Sequence, residues 1–188
     1  MKQLTMGMLA VVLGVAQGAL AADAPDARLT AIEDRLAIEK LMTGDYPRAL
    51  DQRRWADYAA LFTADADLTF ATASLKGSAA IQKYFETPRP SPSNRPPPKP
   101  GEIRTLHVVT NLSVHITGDT ATGGAYWQTI GTTDGRNAVL SAGHYDDMLK
   151  KVNGQWKFAR RAIVNDLAPP PGVTAPAAPA SPAAPAAR

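Results

Sequence analysis

Three histidines are the whole imidazole supply of this 188-residue chain, and one of them sits where imidazole needs a reason. His107 lies in TLHVVTN (105–111), flanked by Leu106, Val108 and Val109 in a run that reads as a β-strand. An imidazole buried among such neighbours costs free energy unless its nitrogens find partners. A carboxylate partner would fix the tautomer and raise the basicity of the other ring nitrogen, which is what general-base catalysis requires. Two carboxylates near the end of the first predicted helix are candidates. Asp45 falls on its apolar face by a strict helical wheel. Asp51 lies on the opposite face if the helix runs straight, but Pro47 breaks the wheel between them. Pattern alone favours Asp45. The structural alternative is a packed core histidine, with both acids ordinary helix-end charges.

The remaining chemistry-bearing residues exclude more than they suggest. His115 precedes a Gly118–Asp119 turn and is expected in solvent. In a two-residue alternation His144 shares a face with Asp146 while Tyr145 takes the other, so His144 belongs on a half-exposed strand. No HxH or HExxH spacing supports a metal site, and no metal is expected. The absence of cysteine removes disulfides, thiol nucleophiles and cysteine-ligated metals. No GxSxG elbow and no glycine-rich phosphate loop after a strand appear. The formal charge is +3, with Lys and Arg scattered among acids rather than grouped in a stripe, so nucleic acid is not an expected partner.

The elements that must position these residues follow from periodicity. From Arg28 to about Leu50, Ile32, Leu36, Ile38, Leu41, Met42 and Ala49 recur at helical spacing, with a kink or new turn predicted at Pro47. Trp55 to Phe62 predicts a second short helix with Trp55, Tyr58, Leu61 and Phe62 turned inward. ADADLTF predicts a strand ending at Phe70. After Gly77, SAAIQKYF predicts a third helix with Ser78 as N-cap. Seven prolines between residues 88 and 100 exclude helix and strand, so residues 87–101 form a long irregular loop, read as a disordered insertion rather than a lid. Beyond Gly101 four β segments alternate with the turn pairs Gly118–Asp119, Asp134–Gly135 and Asn153–Gly154. Helices first and an antiparallel meander afterwards predict an α+β domain, with the helices on one face of the sheet.

Both ends read as something other than fold. Residues 1–21 carry Lys2, an apolar run and small residues at Ala19 and Ala21, the pattern of a signal peptide cleaved after Ala21. Its apolar part is too short to span a bilayer comfortably, so no stable membrane span is expected after cleavage and the location is periplasmic or secreted. Residues 168–188, almost only Ala and Pro, are expected to be disordered or extended. What remains, residues 22–167, is the size of one domain with one core.

The segments YPRALDQRRWADYAALFTADADLTF, GSAAIQKYF, RTLHVVTNLSVHITGDTATGGAYW, AGHYDDMLKK and QWKFARRAI, in that order, resemble the SnoaL-like branch of the nuclear transport factor 2-like superfamily. The pattern is similar to the group containing scytalone dehydratase and hexachlorocyclohexane dehydrochlorinase, and it covers roughly residues 28–166. The resemblance implies a cone-shaped α+β fold: a curved antiparallel sheet wrapped around N-terminal helices, with an apolar pocket. It implies a catalytic Asp–His dyad of Asp51 and His107, against the wheel's preference for Asp45. It puts Tyr46, Phe62, Trp127, Tyr145 and Arg161 at substrate-binding positions, where the alternatives are plain core for Phe62 and Trp127 and a surface ion pair for Arg161. The implied activity is a lyase of the dehydratase or dehydrohalogenase kind, or an isomerase. It would act without cofactor on a small apolar substrate. The alternative is a non-catalytic ligand-binding or structural module. A homodimer or higher homo-oligomer, formed through the sheet face, is also expected. The chain departs from its relatives at His144, where they commonly carry arginine or another residue, and in its proline-rich segment.

Overall fold

In a computed structural model the described residues are 23–71, 73–88, 103–133 and 135–167. The expected signal peptide, tail, Asp134 and most of the proline-rich loop lie outside them. Helix α1 (Asp23–Glu39) runs into a π-helical turn (Lys40–Asp45) and then α2 (Tyr46–Asp51), followed by α3 (Trp55–Ala60). Strands β1 (Phe62–Phe70) and β2 (Ala73–Lys76), helix α4 (Ser78–Glu86), and strands β3 (Thr105–Thr117), β4 (Thr120–Thr133), β5 (Arg136–Val152) and β6 (Gln155–Leu167) complete the domain. Among the described residues no helix is long and apolar enough to cross a membrane.

The six strands form one sheet in the order β2-β1-β6-β5-β4-β3. The meander β3 to β6 is antiparallel, as its turn chemistry predicts, but β1 runs parallel to β6, so the sheet is mixed. The β5–β6 turn has positive φ at both Asn153 (51°) and Gly154 (76°), the geometry that matches the twist of a two-residue hairpin. Helices and inner sheet face enclose a core that includes Ile38, Met42, Tyr46, Tyr58, Leu68 and Phe158.

Several expectations shift. The second helix stops at Ala60, and Phe62 instead opens β1. Gly77, at φ 84°, occupies the N-cap of α4 and Ser78 is its first residue; an added Cβ at Gly77 would meet the Ala64 carbonyl oxygen at 2.8 Å. Ile32 and Leu36 point to solvent rather than to the core. Helix α1 docks instead through Ile38 and buried Asp34, which accepts the Trp156 indole N–H at 2.8 Å and pairs with Lys151 at 2.7 Å. Burial raises the Asp34 pKa, but these two partners more than offset it and hold the carboxyl below its ordinary range.

Asn111, the residue that closes TLHVVTN, takes a left-handed conformation (φ 54°). Pairing of β3 with β4 slips between Thr110 and Ser113 at that point, which is a β-bulge. The extra residue resets the alternation. His107 and Val109 face inward before the bulge, and Leu112, Val114 and Ile116 after it.

Candidate functional site

The π-helical turn decides which carboxylate reaches His107. Pro47 has no N–H to give to the carbonyl four residues back, and a π turn upstream of it rotates everything that follows relative to an α-helical wheel. Asp45 therefore faces outward and pairs with Lys40 at 2.5 Å, contrary to the wheel. Asp51 swings to the edge of β3, the last strand on its side of the sheet. The end of α2 is fixed by paired backbone bonds, Arg53 N–H to Leu50 O at 3.1 Å and Arg54 N–H to Ala49 O at 2.9 Å. This closure puts Arg53 in the left-handed region (φ 56°), a position that glycine usually holds.

At that edge Asp51 does two things for one residue. Its Oδ1 lies 2.6 Å from His107 Nδ1. Both of its oxygens accept the His107 main-chain N–H, at 3.2 Å each. The carboxylate thus caps an edge N–H that no neighbouring strand can take, and it orients the ring in the same contact. The Asp51 side chain is 9% exposed and that of His107 19%, so the ring keeps a route to solvent or substrate.

Tyr46, Tyr145 and Arg161, from α2, β5 and β6, meet in the interior. Arg161 is fully buried and doubly bonded to Asp147, Nε to Oδ1 at 2.8 Å and Nη2 to Oδ2 at 2.7 Å. Its guanidinium carbon lies 4.0 Å from the ring centres of Tyr46 and Tyr145 and 3.9 Å from that of Phe158. Burial by itself would lower the Arg161 pKa; the facing Asp147 carboxylate outweighs it and keeps the group charged. Nη1 is a buried donor with no hydrogen-bond partner among the described residues. Tyr58 donates to the Tyr46 hydroxyl at 3.1 Å. Burial pushes the Tyr58 and Tyr145 hydroxyls well above the ordinary tyrosine range, so both remain protonated donors at neutral pH.

Trp127 links this cluster to the His107 edge. It stacks on Tyr145 (6.0 Å, 23°) and donates its indole N–H to the His144 carbonyl at 3.1 Å. Its partner across to β3 is Val109, two residues from His107 on the same inner face. Phe62 packs against Tyr58 (5.4 Å) and Phe158 (5.3 Å) on the far side of Tyr46. Pattern reasoning missed Asp147. Part of the signal was present, because an acid two residues from an inward tyrosine shares its face; the strand register then sets it directly opposite Arg161.

His144 lies on the other face of the sheet, its Nδ1 2.8 Å from Asp166 and its Nε2 3.8 Å from Asp146. The Asp166 hydrogen bond raises its pKa above the usual value. His115 is exposed. Among the described residues no group of three or more His, Asp or Glu side chains could hold a metal ion.

Comparison with known proteins places the fold. A structure described as an NTF2-like protein with a cystatin-like fold, from Novosphingobium aromaticivorans, superposes with a TM-score of 0.65 at 20% identity, covering 82% of this chain and 94% of that one. A provisionally assigned scytalone dehydratase from the same organism gives 0.58 at 25% identity, covering 80% and 99%. A type 2 hexachlorocyclohexane dehydrochlorinase gives 0.59 at 20% identity, covering 85% and 99%, a likeness of fold alone. No curated protein sequence matches the chain. The SnoaL-like domain family matches residues 30–162, most of the chain and a span that includes Asp51, His107 and Arg161, and the protein belongs to that family.

Proposed function

We propose that the protein is a cofactor-independent lyase or isomerase in which Asp51 and His107 act as a dyad on a small, largely apolar substrate. The observation that carries this reading is the 2.6 Å contact between Asp51 Oδ1 and His107 Nδ1. With Nδ1–H donating its hydrogen bond to Asp51, Nε2 holds a lone pair and serves as general base. It takes a proton from carbon next to an activating group. The C–H electron pair becomes the new C=C bond, and the leaving group departs with its own bonding pair. In an isomerisation the proton returns from Nε2 to a different carbon of the same substrate. Asp51 stabilises the imidazolium electrostatically and does not take the proton itself.

The negative charge that develops on the substrate needs donors, and Arg161 with Tyr46 and Tyr145 supplies them on the inner face. The apolar neighbours, Val109 and Trp127, favour an apolar substrate. The provisionally assigned scytalone dehydratase among the structural neighbours supports an elimination. We also propose that the protein acts outside the cytoplasm, because residues 1–21 have the pattern of a signal peptide. N-terminal sequencing of the exported protein should then begin at Ala22.

One observation favours a second reading. Tyr46, Phe62, Trp127, Tyr145 and Arg161 are all buried at 5% exposure or less, as a plain core would be, and Asp51 would then only cap the β3 edge. The two readings separate on a panel of elimination substrates that includes scytalone and hexachlorocyclohexane, with product formation measured directly. A general base contributes on the order of 10²–10⁴ in rate, so His107→Gln and Asp51→Asn should each lose about 10²-fold or more. Nitrogen-15 NMR gives a readout that needs no substrate: His107 should be the Nδ1–H tautomer. Turnover undiminished in His107→Gln, or an Nε2–H tautomer in the wild type, would sink the dyad.

A further inference from the structure

Helix α1 has two faces, and the domain uses one. Asp34 and Ile38 are buried against the body, whereas Leu29, Ile32 and Leu36 are 55%, 56% and 60% exposed. At about 100° per residue these three form a stripe roughly 180° from the docked face. Large apolar residues at i, i+3 and i+7 are the a and d positions of a heptad seam. They have no partner among the described residues of the domain.

The flanks of the stripe say what covers it. Arg28 and Arg35 lie along one side, the g positions; Asp26 and Glu33 lie along the other, the e positions. In a parallel pair of such helices the basic flank of each copy faces the acidic flank of the other. In an antiparallel pair acid would meet acid and base would meet base. The stripe is therefore self-complementary in one orientation only. Because each domain body sits on the far side of its own helix, a two-fold axis along the seam does not drive the bodies together. Arg35 already donates to the Val114 carbonyl at 3.2 Å, which leaves Arg28 and Glu33 of the second copy as the diagnostic pair.

We propose that α1 is a self-association element, pairing in parallel with α1 of a second copy through Leu29, Ile32 and Leu36 and registered by Arg28 against Glu33 of the second copy. Three apolar side chains per copy bury well under the roughly 1,200–2,000 Å² of a stable complex, so the association is reversible and concentration-dependent. The inference is independent of the chemistry at His107.

Sedimentation velocity on the full chain over a wide concentration series tests it. The wild type should pass from monomer to dimer, and Ile32→Lys, at an exposed position with no cost to the core, should remain monomeric. Arg28→Glu and Glu33→Arg should each weaken association about fivefold, while an equimolar mixture of the two variants recovers it because both cross-helix pairs become attractive again. A wild type that stays monomeric throughout overturns the proposal. So does a dimer that survives Ile32→Lys, which would point to the sheet face. An Arg28→Glu variant that associates as tightly as the wild type, or more tightly, excludes the parallel register.

Discussion

Asp51 and Asp147 show how differently two carboxylates can be used within one domain. Asp51 stands at a strand edge with its partner ring 19% exposed, and its bond to the His107 main chain holds whatever the imidazole does. Asp147 and Arg161 are both fully buried, so each is tolerable only because the other is present. Removing one partner strands a charge in the interior, which costs about 3–5 kcal/mol, whereas replacing both with apolar groups of similar size is often close to neutral. Asp147→Asn should therefore be strongly destabilising in urea unfolding, and Asp147→Leu combined with Arg161→Met much less so. If the double variant lost as much as the two single variants added together, the pair would not be charge-compensated in this sense. The same double variant should lose any elimination activity that depends on Arg161, which tests the proposed role in chemistry apart from the role in stability.

At the scale of elements, three small irregularities aim the site. The π turn before Pro47 carries Asp51 to the β3 edge, and the bulge at Asn111 lets His107 and Leu112 both face inward. The third is Gly143, on β5 across from Trp127. A Cβ there would stand 1.9 Å from the Val164 carbonyl oxygen of β6 and 3.0 Å from the Trp127 ring. The first of these contacts is with backbone, so the two strands would have to separate. Gly143→Ala should cost about 3 kcal/mol or more and change the Trp127 environment seen in near-UV circular dichroism; a variant with wild-type stability and spectrum would show that β5 and β6 can part there without loss. The bulge was legible as an asparagine interrupting a β-branched run. The close approach at Gly143 was not, because nothing in AGHYDD says which carbonyl lies opposite.

At the scale of the whole molecule, the outer face of the sheet carries a pH-dependent contribution to stability. The Asp166 hydrogen bond and the charges of Asp166 and Asp146 raise the His144 pKa above its ordinary 6.5. Protonated His144 thus favours the folded state. That contribution is complete below the unfolded-state value and is lost as pH rises through the higher folded-state value. The melting temperature of the wild type should fall, relative to His144→Gln, as pH rises from about 6 to 9; parallel curves for the two proteins would refute the assignment. Sequence by itself determined the order of helices and meander, the turns, the family likeness and the candidate residues, because periodicity, turn chemistry and residue type are local properties. Tertiary structure decided what depends on distance. It gave His107 to Asp51 rather than Asp45, through a change of helical pitch that no wheel anticipates. It supplied Arg161 with Asp147 across a strand pair. It turned Ile32 and Leu36 outward, because Asp34, held by Lys151 and Trp156 from the far end of the chain, fixes which face of α1 meets the body.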